Sequence, residues 1–317
     1  MLHVRLVVPA DRRAEVVEIL VDDARVTNVV VLPGAGLDPP GDVVDCDVAR
    51  EGASDVLGRL RHLGLDENGS VTLSGIEAAP SRNARAAERA APGAPDDAVV
   101  WDIVEQRAWG DAAGSWSYYV FLTLATLLAG VAVVTDSAIL VVGAMVVGPE
   151  FAAVAAVAVS IAVRNPPLTV RALRLLVAGF AVAIAITALA GLAARAAGWV
   201  DPASLRAPRP LTAFIWHPDR WSVVVALLAG AAGVLSQTGG KANALVGVFI
   251  SVTTVPAAGN LALAIAVWVP GEMGGAAAQL AVNLTGMTVA GVLTLLVQRT
   301  LWRRVRAHGR VPQPAPR

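Results

Sequence analysis

Long hydrophobic stretches alternate with short polar connections along the chain after residue 115. Six stretches contain few or no charged residues, at about 116–134, 137–163, 172–196, 221–238, 242–270 and 277–298. A bilayer core about 30 Å thick needs roughly 20 apolar residues per helix, and these stretches have about that length. The pattern therefore predicts six transmembrane helices, and the lipid bilayer is the first expected partner.

The first 80 residues show shorter periods, which predict a small α/β domain. Apolar runs rich in β-branched residues predict four strands, near 2–9, 27–33, 43–49 and 70–78. Between them, residues 11–22 and 53–65 place apolar side chains at helical spacing. The turn residues of 33–41 predict a loop. The order β-α-β-β-α-β is that of a ferredoxin-like unit.

A polar connection joins the two parts. Residues 81–98 are small, polar and proline-containing, which is typical of a linker. Residues 99–115 carry apolar side chains at helical spacing and predict an interfacial helix that leads into the membrane. The predicted domains are therefore a soluble domain (1–80), this linker, the interfacial helix, a membrane domain (116–300) and a basic tail (301–317).

Composition supports the membrane assignment. Of 317 residues, 56% are hydrophobic and 16% are charged, whereas about a quarter of the residues of an average soluble protein are charged. Trp116, Trp199 and Trp268 lie near ends of predicted helices, where tryptophan favours the headgroup level. The opening residues lack a basic region followed by a long apolar one, so we expect no secretory signal and a cytoplasmic N-terminal domain.

Basic residues in the connections predict the orientation. The connection 163–174, Lys241 and the tail are basic, whereas 135–136 and 271–276 contain no basic residue. The positive-inside rule then places both termini in the cytoplasm, in a multi-pass protein of the inner (plasma) membrane. The connection 197–220, on the predicted outside, runs against the rule with Arg206, Arg209 and Arg220.

Two parts of the membrane domain resemble each other at a period of about 100 residues. LLAGVAVVTDS (127–137) aligns with LLAGAAGVLSQ (227–237), and residues 141–163 resemble 245–267. Each copy contains three predicted crossings, so the second would be inverted relative to the first. Such inverted repeats recur in secondary transporters. Chance similarity is the alternative in a sequence this rich in Ala and Val.

The second predicted helix of each copy contains residues that interrupt a helix. Proline removes a backbone donor, and carbonyl groups freed inside a membrane must be buried in protein or line a wet cavity. Paired interruptions indicate a central binding site, and the alternative is ordinary proline kinks satisfied by Ser and Thr. The predicted site residues are Gly143, Gly148, Pro149, Glu150, Ser251, Thr253, Thr254, Pro256, Asn260 and Asn283.

Glu150 is the only acidic residue well inside a predicted helix, where an ionisable group is costly. It is either a cation ligand or proton carrier, or the cap of a helix that begins after the break beside an aqueous vestibule. Asp136 is expected to be a boundary charge or cap, and Lys241 a positive-inside anchor. Asn260 and Asn283 either contact a solute or bond across helices.

The sequence contains none of the motifs of an ATP-driven pump or a membrane enzyme. A nucleophile elbow and a phosphate-binding glycine loop are both absent. The four histidines have no metal-ligand spacing, and Cys46 is a single cysteine. We therefore expect no enzyme activity, no catalytic residue, no metal site, no cofactor and no nucleic-acid partner.

Three motifs resemble a bacterial and archaeal membrane family, domain of unknown function 389. VVGAMVVGPEF (141–151) resembles its GAM…P signature, LVGVFISVTTVPAAGNLALA (245–264) its second signature, and QLAVNLTGM (279–287) its final segment. The resemblance covers about 110–300 and implies a six-helix membrane domain, often beside a small soluble domain, without a substrate. The chain departs from the family pattern at three positions. Gly148 replaces the usual small hydroxyl residue, Glu150 replaces an apolar residue, and Ala257 replaces a second proline.

These features predict a secondary transporter or channel-like carrier of an unidentified small solute or ion, with its site near the midplane between two broken helices. The α/β domain would be a regulatory or oligomerising module by fold-level analogy, so a homo-oligomer is one expected assembly. The alternative is a non-transporting membrane scaffold or sensor, in which the soluble domain binds a ligand or partner. An anchor needs neither a repeat nor paired interruptions, so the transporter interpretation is favoured.

Overall fold

A computed structural model describes residues 1–201, 203, 207–239 and 254–308 of the chain. It divides into two compact units. The first consists mainly of Met1–Val104, and the second of Glu105–Gln237 with Ala242–Val297. The first unit contains all four described strands, and the second is helical.

The first unit is built on a four-stranded antiparallel sheet in the order β2-β3-β1-β4. The strands are β1 (Leu2–Val8), β2 (Val26–Leu37), β3 (Pro40–Val48) and β4 (Ser70–Gly75). Helix α1 (Arg13–Val21) follows β1, and α2 (Arg50–His62) follows β3. The order β-α-β-β-α-β expected from the sequence is thus observed, with the one-turn helix α3 (Leu65–Asn68) added before β4.

The two faces of this sheet follow from the alternation of its side chains. One face is buried against α1 and α2, and its core consists of Leu2, Val4, Leu6, Val8, Val44, Cys46, Val48, Val16, Leu20, Val56 and Leu60. The other face carries charged residues from the intervening positions of β1 and β3. There Arg5 Nε donates to Asp45 Oδ1 at 2.9 Å, and His3 Nδ1 lies 2.9 Å from Asp47 Oδ1.

The connection between β2 and β3 differs from the predicted loop over 33–41. Strand β2 continues to Leu37 and β3 begins at Pro40, so that Gly36 pairs with Gly41. A side chain at Gly41 would collide with the backbone oxygen of Val8. The loop prediction was wrong because glycine here permits close strand pairing instead of marking irregular structure.

A helix that the sequence did not predict lies inside the predicted linker. Helix α4 (Arg82–Ala90) begins where the Ser81 hydroxyl accepts a hydrogen bond from the Ala84 N–H at 3.0 Å. Ala84 and Ala87 are buried. The Ala- and Arg-rich composition of a linker also favours a helix once an N-cap is present. The next helix, α5 (Trp101–Asp111), occupies the segment predicted to be interfacial.

The second unit contains the apolar helices. They are α6 (Trp116–Val134), α7 (Ala138–Val147), α8 (Glu150–Val163), α9 (Pro166–Ala196), α10 (Arg220–Thr238), α11 (Thr254–Val267) and α12 (Pro270–His308). Four of them, α6, α9, α10 and α12, are long and apolar enough to cross a membrane, and α7 with α8 forms a bent pair that would be a fifth span. Six crossings are not confirmed, because the start of the fifth predicted segment lies outside the described residues.

Small residues bring several of these helices into close contact. A Cβ on Gly259 of α11 would lie 2.6 Å from the Cβ of Ala129 on α6, and one on Gly191 of α9 would lie 3.0 Å from the Cβ of Ala266 on α11. Larger apolar side chains such as Leu122 fill the core between them. Close backbone approach of this kind is the usual basis of helix packing in membranes.

Several helix boundaries of the second unit are separated by the same number of residues. Both α6 and α10 have 19 residues, and their boundaries lie 104 positions apart. The ends of α8 and α11, at 163 and 267, are also 104 positions apart. Between α6 and α10, the sequence comparison had used an offset of 100. The structure aligns these helices four residues further along.

The helix ends agree with the same spacing. The Tyr118 N–H donates to the Ser115 hydroxyl, and the Ser222 N–H donates to Asp219 Oδ1, each at the start of a 19-residue helix. Helices α8 and α11 are each followed by a residue with a left-handed backbone, Arg164 and Trp268, both with φ of 60°. In both cases a helix beginning with proline follows two residues later.

Candidate functional site

The predicted interruption of the first broken helix is confirmed. Helix α7 ends at Val147, and α8 begins at Glu150 after Gly148 and Pro149, with a bend of 54° between the two helices. Proline lacks the N–H that would continue the hydrogen-bond ladder of α7. The bend therefore has a local cause, Pro149, which could be predicted from the sequence.

Glu150 is fully buried as the first residue of α8. Neither of its carboxylate oxygens has a hydrogen-bond partner on another described residue. Buried polar atoms nearly always have partners, so a carboxylate in this state calls for an explanation. The capping interpretation had placed Glu150 beside an aqueous vestibule, whereas the side chain has no solvent exposure in this structure.

The start of α11 lies against this break. A Cβ on Gly148 would be 2.8 Å from Val255 Cγ2 and would collide with Glu150 Oε2. Thr254, the first described residue of α11, is buried, and its hydroxyl has no hydrogen-bond partner on the described residues. The structure thus places Val255, which directly precedes Pro256, against the break at Gly148.

The other predicted site residues have different positions. Pro256 is the third described residue of α11, and it is buried. A Cβ on Gly143 would be 3.6 Å from Leu128 on α6, an ordinary packing contact away from the break. Ser251 and Thr253 lie outside the described residues.

Asn260 belongs to a buried network that the sequence did not predict. Arg209 Nη1 donates to Asn260 Oδ1 at 3.2 Å, and Arg209 Nη2 donates to Glu272 Oε1 at 2.5 Å. Asn260 Nδ2 donates to Glu272 Oε2 at 3.2 Å and closes the ring. All three side chains are buried, so Asn260 bonds across elements, as one of the two interpretations of this residue proposed.

Asn283 has a partner that the sequence analysis also missed. Gln279 Nε2 donates to Asn283 Oδ1 at 3.4 Å, and both residues are fully buried in α12. The sequence did contain a pattern that predicts this pair. The spacing of seven and four residues puts Glu272, Gln279 and Asn283 on one helix face. No local pattern could have paired Arg209 with Glu272, which is 63 residues away.

Asp136 connects the turn between α6 and α7 to the segment before α10. The Thr212 hydroxyl donates to Asp136 Oδ1 at 2.8 Å, and the Leu211 N–H donates to Oδ2 at 3.4 Å. Asp136 itself has a φ of 47°. It is thus a boundary residue that fixes a connection, as the sequence suggested. Among the described residues, no group of three or more His, Cys, Asp or Glu side chains could hold a metal ion.

Comparison with known proteins agrees with the motifs. Residues 145–289 match a family described as "Domain of unknown function (DUF389)". An uncharacterised protein of Methanocaldococcus jannaschii is 28% identical over 137 residues, which is 43% of this chain and 40% of that relative's length. No solved structure matches the chain significantly. The resemblance expected from the sequence is therefore confirmed over residues 145–289, which are similar to the family of domain of unknown function 389.

Proposed function

We propose that the second unit is a secondary transporter, or a channel-like carrier, of a small solute or ion, in which Glu150 binds a proton or a metal cation. The observation that carries this proposal is the position of Glu150, fully buried at a helix break and without a hydrogen-bond partner on another described residue. An isolated carboxylate is costly in such a place unless a cation or proton neutralises it. A group with this requirement can couple solute movement to a cation.

Two side-chain oxygen groups without a partner on another described residue belong to this region. They are the carboxylate of Glu150 and the hydroxyl of Thr254, which precedes Val255 beside the break. The C-terminus of α7 also carries the negative end of its helix dipole. Such an oxygen-rich site suits a hard cation such as Na⁺, or a proton, better than an anion.

The spacing of 104 residues between α6 and α10, and between the ends of α8 and α11, supports the inverted repeat on which a carrier of this type depends. With three predicted crossings in each half, the second half would be inverted relative to the first. Glu150 and Thr254 then occupy equivalent positions, one in each half. Secondary transporters with inverted repeats bind their substrates at such a junction of discontinuous helices.

The predicted orientation, with both termini cytoplasmic in the plasma membrane, is part of this proposal. The basic connection 197–220 had run against it. Arg209 in that connection forms a buried ion pair with Glu272, so its charge is neutralised within the protein. A neutralised arginine counts less as a topological signal, and the remaining basic connections favour the proposed orientation.

The proposal is tested by cation binding and flux with matched carboxyl variants. The full-length protein is purified in detergent, and its melting temperature is measured in Na⁺, K⁺ and Li⁺ at constant ionic strength and over a range of pH. A cation at about 100 times its Kd stabilises the folded state by about 2.7 kcal/mol. The variants are Glu150→Gln and, as control, Glu51→Gln, since Glu51 is a buried glutamate with an unpartnered oxygen in the first unit.

We expect a saturable shift with one cation or with protons that is lost in Glu150→Gln and kept in Glu51→Gln. The same cation should drive solute flux into vesicles containing wild-type protein but not Glu150→Gln. A shift unchanged in Glu150→Gln would overturn the site. Cation binding without any flux would favour the sensor alternative.

A further inference from the structure

The buried face of α12 changes from polar to apolar along its length. The residues on this face recur every three or four positions, and they are Glu272, Ala276, Gln279, Asn283, Met287 and Ala290. The first half of the face contains all three polar members, and the second half contains none. Polar side chains buried in an apolar helix are expensive, which makes their confinement to one half informative.

The Gln279–Asn283 pair has unused hydrogen-bonding capacity. Once Gln279 Nε2 has donated to Asn283 Oδ1, Gln279 Oε1 and Asn283 Nδ2 have no partner on the described residues. The O and N atoms of an amide side chain can be assigned either way round. If both amides are flipped, the pair still has one free acceptor and one free donor. Both side chains are fully buried. The pair thus offers a complementary contact to a small molecule that carries a donor and an acceptor.

A cavity lies at the polar end of this face. Its volume is about 580 Å³, and its lining residues are Ala207, Pro208, Arg209, Pro210, Ala213, Trp216, Val269, Gly271 and Glu272. Arg209 and Glu272 therefore belong both to the cavity wall and to the buried network with Asn260. The indole Nε1 of Trp216 is buried without a partner on the described residues, a further free donor beside the cavity.

Helix geometry connects the cavity to the level of the broken helices. At about 1.5 Å per residue, Asn283 lies about 20 Å along α12 from Pro270, and Thr254 lies about 20 Å along α11 from Val267. Only two residues separate the end of α11 from the start of α12. Asn283 and Thr254 are therefore at a similar distance from this turn, so the polar face of α12 reaches the level of the site at Glu150.

We propose that the polar half of this face is the access path for a small polar solute, with Gln279 and Asn283 as its contacts and the Arg209–Glu272–Asn260 network as its gate. The proposal rests on the carrier function above. The closed ring of charge-assisted hydrogen bonds joins the segment before α10 to α11 and α12, and so separates the cavity from the Gln279–Asn283 pair. Opening requires Arg209 to leave Glu272.

Thiol labelling tests the gate without any assay of transport. Cys46, the one cysteine of the chain, is replaced by Ala, and Asn283→Cys is introduced into the full-length protein. Labelling by a membrane-impermeant, cationic methanethiosulfonate reagent is timed in vesicles with and without Arg209→Gln. The control is Val289→Cys, which is on α12 but 46% exposed on its outer face.

We expect Arg209→Gln to accelerate labelling at Asn283→Cys by about tenfold or more, because the closed network loses the charge-assisted hydrogen bonds from Arg209 to Asn260 and Glu272. The rate at Val289→Cys should not change. The charge exchange Arg209→Glu with Glu272→Arg should restore slow labelling. If Arg209→Gln does not fold, Arg209→Lys, which keeps the charge but loses the two-pronged contact, should give a smaller acceleration.

Equal labelling rates with the intact and altered network, whether fast or undetectable, would overturn the path and its gate. Equal acceleration at Val289→Cys would also overturn it, because the whole helix would then have loosened. The outcome does not depend on the cation site, since labelling is measured with Glu150 present and again in Glu150→Gln. Loss of flux in Glu150→Gln with unchanged labelling separates the two hypotheses.

Discussion

Replacing Arg209 by Met should strongly destabilise the second unit. The side chains of Arg209 and Glu272 are only 5% and 6% exposed, so the change leaves a buried carboxylate without its counter-charge. Removing one partner of a buried ion pair costs about 3–5 kcal/mol. Asn260 Nδ2 can still donate to the Glu272 carboxylate, but this hydrogen bond is already present in the wild type and so does not replace the lost counter-charge.

The double variant Arg209→Met with Glu272→Leu should behave differently. Two apolar side chains of similar size replace the pair, and such replacements are often neutral or stabilising, because no charge then needs to be desolvated. We expect the double variant to lie within about 2 kcal/mol of the wild type, so that its loss of stability is far smaller than the sum of the two single losses. Asn260 loses two partners in this variant, which limits any gain.

The assay is equilibrium unfolding in mixed micelles, followed by tryptophan fluorescence. The control is Arg12→Met, which removes an exposed pair with Glu15 at 3.3 Å and should cost less than about 1 kcal/mol. The reasoning would be refuted if Arg209→Met were as mild as Arg12→Met. It would equally be refuted if the double variant were as unstable as the sum of its single changes.

Three further predictions concern packing, a thiol and a carboxylate. Gly259→Ala should cost about 1–3 kcal/mol, because the new Cβ would lie 2.6 Å from that of Ala129. Burial raises the pKa of Cys46 to about 12, so a maleimide at about pH 8 should label it only after unfolding. Burial disfavours the charged form of Asp23, but hydrogen bonds from Arg25 outweigh it and lower its pKa. Asp23→Asn should therefore destabilise the first unit above about pH 4, and this difference should shrink as the pH falls through the lowered pKa.

Each of these predictions has a matched control in the chain. Gly143→Ala adds a Cβ at an ordinary 3.6 Å from Leu128 and should be tolerated, so an equal loss in both glycine variants would contradict the packing argument. Rapid labelling of Cys46 in the folded protein would show that its strand opens locally. Asp11→Asn removes an exposed carboxylate whose nitrogen partner on Arg12 is 3.8 Å away, and should cost less than about 1 kcal/mol in the free energy of unfolding, which is measured by urea titration.

Local rules predicted the break in the first broken helix but not its surroundings. Gly148 and Pro149 predict the interruption, because glycine and proline both disfavour the interior of a helix. The contact of Gly148 with Val255 joins segments more than 100 residues apart, and only the possible repeat hinted at it. The Arg209–Glu272 pair shows a case in which the sequence misled. Arg209 was counted as evidence against the predicted orientation, whereas its charge is neutralised by Glu272 inside the protein.

The first unit illustrates a different limit of the sequence. Alternation of apolar residues in β1 and β3 correctly predicted strands and a buried face. The same reasoning missed α4, whose Ala and Arg residues have the composition of a linker and whose helix depends on the cap at Ser81. Composition thus does not distinguish a linker from a short helix when the deciding feature is one N-cap.

The equal spacing of the helices leads to a prediction about the site itself. Glu150 and Thr254 lie 104 positions apart, as the ends of α8 and α11 do; both are buried, and neither side chain has a partner on another described residue. If the halves are equivalent, exchanging these residues moves the carboxylate across the pseudo-symmetry axis without removing it from the junction. Glu150→Thr should abolish the cation-dependent rise in melting temperature, and Thr254→Glu should destabilise the protein because two carboxylates would share one site.

The double exchange, Glu150→Thr with Thr254→Glu, should recover a cation-dependent rise, with Thr254→Gln as a control that adds bulk without charge. Recovery would mean that the cation site belongs to the junction of the two halves and not to one helix. A double variant that behaves like Glu150→Thr would refute the equivalence of the two positions. In that case the space that Gly148 leaves beside the Glu150 carboxylate, which only the first break provides among the described residues, would be the deciding feature of the site.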